Sequence, residues 1–192
     1  MDPIDRLMAE HRVIEKAIAI LEKIVGEYES RGEIDTGDVE SLIDFIRTFA
    51  DKCHHGKEEG VLFPKMIERG IPKEGGPIGV MLDEHEQGRD AVRRMSKGIS
   101  MIKGGESGGR DLFIKAAWDY ITLLRGHIDK EDNILFPMAR EVMTPSDIDE
   151  MVNEFDRVER EDIGEGVHEK YEALIHRLSG KYLGDVSHHH IH

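Results

Sequence analysis

Residues 54–64 read HHGKEEGVLFP, and residues 127–137 read HIDKEDNILFP. Each stretch contains a histidine followed four residues later by a glutamate, which gives the pairs His54–Glu58 and His127–Glu131. Residues four apart lie one above the other on a helix, so each pair points an imidazole and a carboxylate in the same direction. The sequence therefore predicts a repeated helical unit with one polar pair in each copy.

A further histidine precedes each stretch, in the dipeptides Glu10-His11 and Glu84-His85. The offset from His11 to His85 is 74 residues, and the offset between the later pairs is 73. Each half is therefore predicted to be a helical hairpin, with one histidine on its first helix and the histidine–glutamate pair on its second. All six residues fall on apolar stripes, and a buried carboxylate or imidazole is costly unless it is hydrogen-bonded or bound to metal. Two facing hairpins predict a two-metal site in which each metal has two histidines and both glutamates bridge, with the ligands His11, His54, Glu58, His85, His127 and Glu131.

Apolar residues recur every three or four positions through four long segments, which is the spacing of amphipathic helices. These segments begin near residues 3, 36, 78 and 113, and the links between them are rich in glycine or proline. Two shorter helices are expected over about 146–159 and 165–182. The pattern predicts an all-α fold, an up-down-up-down four-helix bundle with extra C-terminal helices.

The domain organisation follows from the same pattern. We expect the bundle in residues 1–142 and a C-terminal helical extension that packs on it in residues 143–184. The last helix of the extension either caps the bundle or forms a homodimer contact. The histidine-rich residues 185–192 resemble a modified purification tag or a native metal-sequestering tail, so we exclude them from the fold prediction.

Composition excludes several classes of protein. The net charge of −14 argues against nucleic acid as a partner, because phosphate binding requires a positive surface. No segment approaches the roughly 20 apolar residues that a membrane span requires. A single cysteine, Cys53, rules out an intramolecular disulfide framework and favours a reducing compartment, so we expect a cytoplasmic protein.

Helical periodicity also distinguishes neighbouring residues. His55 and Glu59 follow a line of polar residues, so we expect them to point outward or to lie behind the ligands. By the same argument Asp132 is a weaker ligand candidate than Glu131. Tyr120 lies about two turns before His127 on the inner face, where it is either a pocket residue or ordinary core.

The doubled motif and the two Glu-His dipeptides resemble the hemerythrin family of HHE cation-binding domains. The resemblance covers roughly residues 4–140 and implies a non-haem di-iron centre on the same six residues, with an oxo or hydroxo bridge between the irons. Oxygen-carrying hemerythrins have a further histidine on the third helix and a bridging aspartate on the fourth. Here Met81 and Arg89 flank His85, and the second bridge would be Glu131. The pattern is closer to the hemerythrin-like proteins that repair iron–sulfur clusters.

Three functions are compatible with such a site. Histidine and carboxylate ligands suit iron, manganese or zinc, and two bridging carboxylates favour iron. The first function is binding or sensing of a small diatomic, oxygen or nitric oxide, or handling of iron, without turnover. The second is a di-iron oxidoreductase acting on peroxide, on nitric oxide or in cluster repair, and the third is a zinc-stabilised structural bundle. The absence of a cysteine pair and of a donor-docking domain favours the first.

Overall fold

The computed structural model describes residues 1–184, which form six helices and no strand. The helices are α1 (Pro3–Arg31), α2 (36–68), α3 (Pro77–Lys103), α4 (109–142), α5 (145–163) and α6 (Val167–Tyr182). The first four form the bundle, and the last two follow it. The predicted all-α bundle with extra C-terminal helices is confirmed. The histidine-rich residues 185–192 lie outside the described part of the chain.

Two of the bundle helices contain π-helical turns beside the predicted ligands. In α2 these are Ile46–His55 and Glu58–Leu62, and in α4 the turn is Glu131–Leu135. Proline lies at the end of each repeated stretch and has no backbone N–H, so it removes one α-helical hydrogen bond. The backbone N–H of Phe63 instead bonds the carbonyl of Glu58 five residues earlier. Neither helix ends at its proline, and π turns of this kind are frequent at functional sites.

The apolar core consists of two clusters with the polar site between them. The larger cluster includes Ile18, Phe45 and Phe113, and the smaller one includes Leu7 and Phe136. On each bundle helix the predicted ligands lie between residues of the two clusters. The site is therefore surrounded by apolar packing at both ends, which lowers the local dielectric and limits access of water.

A close contact between α3 and α4 depends on glycine. A Cβ atom added at Gly98 would lie 2.8 Å from the backbone nitrogen of Phe113. No real side chain tolerates that distance to a backbone atom, so glycine permits the two helices to approach each other here. This approach fixes the second hairpin, which supplies His85 and His127.

The C-terminal extension packs on the bundle through apolar residues of both its helices. Phe155 of α5 is fully buried in the smaller cluster, and Tyr171 and Ile175 of α6 are buried in the larger one. Thr144 and Asp147 form a reciprocal capping box at the start of α5, and Asp147 also accepts two hydrogen bonds from Arg69 of the link after α2. None of the helices in residues 1–184 has the length and apolar content of a membrane span.

Candidate metal centre

The structure brings all six predicted ligands together in the middle of the bundle. Each of the six residues is at most 1% exposed. They are His11, His54, Glu58, His85, His127 and Glu131. Their donor atoms form two groups, each with its atoms within 4.8 Å of one another. One group contains His11, His54 and Glu131. The other contains His55, Glu58, His85 and His127.

The two glutamates each lie between histidines of opposite hairpins. Glu131 Oε1 is 3.0 Å from His11 Nε2 and 3.2 Å from His127 Nε2. Glu58 Oε1 is 3.4 Å from His54 Nε2 and 3.5 Å from His85 Nε2, without hydrogen-bond geometry to either. Each carboxylate is thus close to both groups. This is the arrangement that a carboxylate bridge between two cations requires.

Each of the four predicted histidine ligands is fixed from behind by a carboxylate. The Nδ1 atoms of His11 and His54 lie 2.7 Å from Asp132 Oδ1 and 2.9 Å from Glu10 Oε1. In the second half, His85 Nδ1 lies 2.6 Å from Glu59 Oε2 and His127 Nδ1 lies 3.0 Å from Glu84 Oε1. An ionised carboxylate only accepts, so each Nδ1–H donates, and the Nε2 of each ring is the nitrogen that faces the centre.

This outer layer follows the same internal repeat as the ligands. Glu10 and Glu84 are 74 residues apart, and each also binds a lysine, Lys57 or Lys130, through its other oxygen. The offset between the lysines is 73 residues, as it is for Glu59 and Asp132. Glu59 lies behind the ligands, which is one of the two placements expected from the sequence. The repeat already contained the other outer carboxylates, but the sequence analysis did not assign them this role.

Of the two placements expected for His55, outward or behind the ligands, the structure contradicts the outward one. His55 is only 6% exposed, and its ring stacks on that of His85 with 3.8 Å between the centroids. The helical-wheel argument assumed 3.6 residues per turn. Hydrogen bonds to the residue five positions earlier put more residues into each turn, so neighbouring side chains diverge by a smaller angle. His54 and His55 therefore both face inward.

Several buried polar atoms of this cluster have no hydrogen-bond partner among residues 1–184. They are His54 Nε2, both carboxylate oxygens of Glu58, and Glu131 Oε2. A buried polar group without a partner costs about 1–3 kcal/mol. His54 Nε2 lies 3.4 Å from Glu58 Oε1, and all four atoms are typical metal donors. The residues present therefore fit a bound cation at each of the two groups.

Burial and neighbouring charge act in opposite directions on two adjacent histidines. Burial lowers the pKa of His127 to about 4. At His85 burial also lowers the pKa, but the hydrogen bonds and charges of Glu58 and Glu59 outweigh it and raise the pKa to about 9. The Nε2 atoms of the two rings are 3.2 Å apart, so the raised and the lowered pKa belong to rings in direct contact.

A third acidic cluster contains Glu10, Glu159 and His168. Its centre already holds a cation, because the fully buried ammonium of Lys57 lies 2.7 Å from Glu10 and 2.5 Å from Glu159. Burial raises the pKa of Glu10, but the hydrogen bonds from His168 and His54 and the charge of Lys57 hold it well below its usual range. This cluster is an ion-pair network behind His54.

A cavity of about 200 Å³ lies beside the His85 ring. Its wall includes His55, Gly88 and Tyr120, and exposed Arg93 lies at its mouth. One water molecule needs about 10–15 Å³ by the same measure, so the space holds several small molecules. Tyr120 is a pocket residue, one of the two roles expected for it.

Known proteins similar to this chain support a family assignment. The sequence profile of the Hemerythrin HHE cation binding domain matches residues 2–139. The uncharacterized protein Rv1995 of Mycobacterium tuberculosis is 24% identical over 159 residues, which are 83% of this chain and 62% of that protein. The iron-sulfur cluster repair protein YtfE of Yersinia pestis is 39% identical over 90 residues, which are 45% of this chain and 40% of that protein.

The chain thus matches less than two thirds of the length of each of these relatives. No solved structure matches it. The family profile, however, covers well over half of the chain, including all six predicted ligands. This chain belongs to the hemerythrin family of HHE cation-binding domains.

Proposed function

We propose that this chain is a non-haem di-iron protein that binds or senses a small diatomic, dioxygen or nitric oxide, or handles iron, in the interior of its bundle. The observation that carries the proposal is the set of buried, unpartnered donor atoms on Glu58, Glu131 and His54. The chain folds around these atoms at a cost that a bound cation would remove. One position would use His11 and His54, the other would use His85 and His127, and both glutamates would bridge.

The donor set supports iron over other cations. Imidazole and carboxylate ligands together suit iron, zinc or manganese, and affinity alone does not choose among them. Two carboxylates between two positions favour a redox-active pair, and iron there would supply a centre that binds a diatomic or peroxide. The similarity to the iron-sulfur cluster repair protein YtfE also supports iron, because that relative is named for iron chemistry.

The residues around the centre support a role in ligand binding. The outer carboxylates hold the four imidazoles in one tautomer, so the site needs little rearrangement to accept a metal. Apolar clusters on both sides restrict water, and the cavity beside His85 leaves a path for a small molecule. No cysteine lines the cavity. Cys53 is buried, and burial raises the pKa of its thiol to about 12.

A second candidate function is a di-iron oxidoreductase that acts on peroxide, on nitric oxide or in iron–sulfur cluster repair. The similarity to YtfE over 90 residues favours it. The two functions differ in turnover. A binder or sensor changes its spectrum reversibly, whereas an oxidoreductase consumes many equivalents of substrate with a supplied electron donor.

The test is anaerobic purification with ferrous iron, metal analysis, and spectra recorded on adding dioxygen, nitric oxide or hydrogen peroxide. We expect two irons per chain and a new absorption band that disappears when the gas is removed. Catalytic loss of peroxide or nitric oxide would instead support the oxidoreductase. A colourless protein that takes up zinc and not iron would contradict both and leave a structural bundle.

A further inference from the structure

The cavity lies against only one of the two histidine pairs. His85 lines it, whereas His11 and His54 do not. The cavity reaches the surface, since Arg93 in its wall has a side chain that is 64% exposed. A small molecule from solvent therefore meets the His85 side of the site first.

The internal repeat explains why the two sides differ. Under the 74-residue offset that relates His11 to His85, Gly88 corresponds to Ile14. Under the 73-residue offset of the second helices, His55 corresponds to Ile128. Both isoleucines are buried in the larger apolar cluster, at 2% and 3% exposure. Where one half has two isoleucines, the other has a glycine and an imidazole at the wall of a cavity.

Gly88 keeps the cavity open. A Cβ atom added there would lie 3.6 Å from Leu124 and 3.8 Å from Leu123 and Tyr120, which are ordinary contacts. Alanine therefore fits at this position without displacing its neighbours. The longer, branched side chain of isoleucine would extend beyond that methyl group toward Tyr120, which lines the cavity.

The C-terminal extension covers the lysine behind the other pair. Lys57 behind His54 is fully buried, beneath Glu159 and the ring of Phe155 from α5. Its counterpart Lys130, behind His127, is not covered in this way, and its side chain is 39% exposed. The two metal positions therefore differ both in access and in what covers them.

His55 is placed to face a ligand in the cavity. Its ring lies face to face with that of His85, at 19° between the planes, whereas two ligands of one metal converge through their nitrogens. Its Nδ1 lies 3.3 Å from Asp51 Oδ1, and one of its ring nitrogens lies within 4.8 Å of donor atoms of Glu58 and His127. The imidazole offers a polar N–H where the other half has only hydrocarbon.

We propose that a small exogenous ligand with a hydrogen-bond acceptor, diatomic or linear triatomic, binds at the His85–His127 position through this cavity, and that His55 positions it without holding metal. This inference rests on the two-metal site proposed above. It makes the His11–His54 position the closed one. It also assigns separate roles to the two residues that break the repeat: Gly88 gives access, and His55 retains the ligand.

The test measures azide binding to the oxidised, iron-loaded wild type and to the Gly88→Ile, Gly88→Ala and His55→Ile variants. The iron content and the resting spectrum of each protein are measured first. Azide is small, linear and a hydrogen-bond acceptor. We expect Gly88→Ile to slow azide association at least tenfold and Gly88→Ala to change it less than threefold. For His55→Ile we expect two irons per chain and about tenfold faster azide dissociation.

Further variants control for folding. Val92→Phe obstructs the same cavity from another wall position, so it should also slow azide association. It takes the place of Gly88→Ile in the test if that variant does not fold. Gly26→Ile introduces the same side chain in α1, where an added Cβ meets no atom within 4 Å, and should leave azide kinetics unchanged.

The outcomes separate this inference from the proposed function. A wild-type chain that does not hold two irons overturns the two-metal site itself. Iron-loaded Gly88→Ile and Val92→Phe variants with wild-type azide kinetics overturn only the entry route. Loss of an iron from the His55→Ile variant would make His55 a metal ligand and overturn its role toward the exogenous ligand.

Discussion

Replacing Glu58 with leucine should stabilise the metal-free chain and abolish its stabilisation by iron. Both carboxylate oxygens of Glu58 are buried without a hydrogen-bond partner in residues 1–184. Each such group costs about 1–3 kcal/mol. Burial raises the pKa of Glu58, but the nearby histidines, with His54 and His85 at 3.4 and 3.5 Å, outweigh it and lower the pKa, so they favour the carboxylate over the neutral acid. Leucine has no polar atom to bury, and a well-packed apolar side chain in place of a buried charge is often stabilising. We therefore expect Glu58→Leu to raise the free energy of unfolding of the metal-free chain by about 1–3 kcal/mol.

The corresponding change in Tm follows from chain length. At roughly 2–4 °C per kcal/mol for a chain of this size, the metal-free variant should melt roughly 2–12 °C above metal-free wild type. Ferrous iron at 100 times its Kd should stabilise wild type by about 2.7 kcal/mol and should not stabilise the variant. With iron present, wild type should therefore gain about 5–11 °C and the variant almost nothing.

The assay is thermal unfolding followed by circular dichroism, with chelator and then with anaerobic ferrous iron. Glu59→Leu is the matched control, because Glu59 lies one residue away with a side chain that is 30% exposed. It should not raise the Tm of the metal-free chain, and it should keep part of the shift with iron, because loss of the carboxylate behind His85 weakens metal binding without abolishing it. The reasoning is refuted if metal-free Glu58→Leu is clearly less stable than metal-free wild type, or if it retains the full stabilisation by iron.

Three further predictions concern residues behind or beside the site. Glu84→Gln should weaken metal binding about 10–100-fold without abolishing it, measured by competition with a chelator, because the hydrogen bond that orients His127 becomes weaker. Asp147→Asn should lower the Tm, because the carboxylate accepts hydrogen bonds from Arg69 that lower its pKa. The difference in Tm from wild type should shrink as the pH falls below about 4, since the contribution of these bonds is lost once the carboxylate is protonated. Cys53 should react with iodoacetamide at pH 8 only upon unfolding, since burial raises the pKa of its thiol to about 12; rapid alkylation of the native chain would contradict this.

Much of the fold and the identity of the buried residues could be predicted from the sequence because the chain repeats itself. One histidine in an apolar stripe is weak evidence for a metal. The same residues recurring at offsets of 73 and 74 define two hairpins and a shared interior. The structure buries all six residues together, although their binding of metal remains a prediction. The division into a bundle of residues 1–142 and an extension of residues 143–184 also remains a prediction.

The facing of His55 could not be predicted from ordinary helical spacing. It depends on π-helical turns in α2, which change the angle between successive side chains. The prolines at the ends of the repeated stretches give a hint of irregular turns, but not of how far the turns extend.

The burial of Lys57 also could not be predicted from the motif. Its counterpart Lys130 has the same position in the repeated stretch and is partly exposed. The difference arises from α5, which covers only one of them with Phe155 and Glu159. Contacts between segments about 100 residues apart depend on tertiary packing, which local periodicity does not specify.

The most direct test of the central claim is the iron content of wild type beside that of Glu58→Ala, Glu131→Ala and Glu59→Ala variants. We expect two irons per folded wild-type chain, loss of the iron pair on replacing either Glu58 or Glu131, and two irons retained in Glu59→Ala. A wild-type chain that binds fewer than two irons, or an iron pair that is retained in the Glu58→Ala or the Glu131→Ala variant, would contradict a shared centre bridged by these two carboxylates.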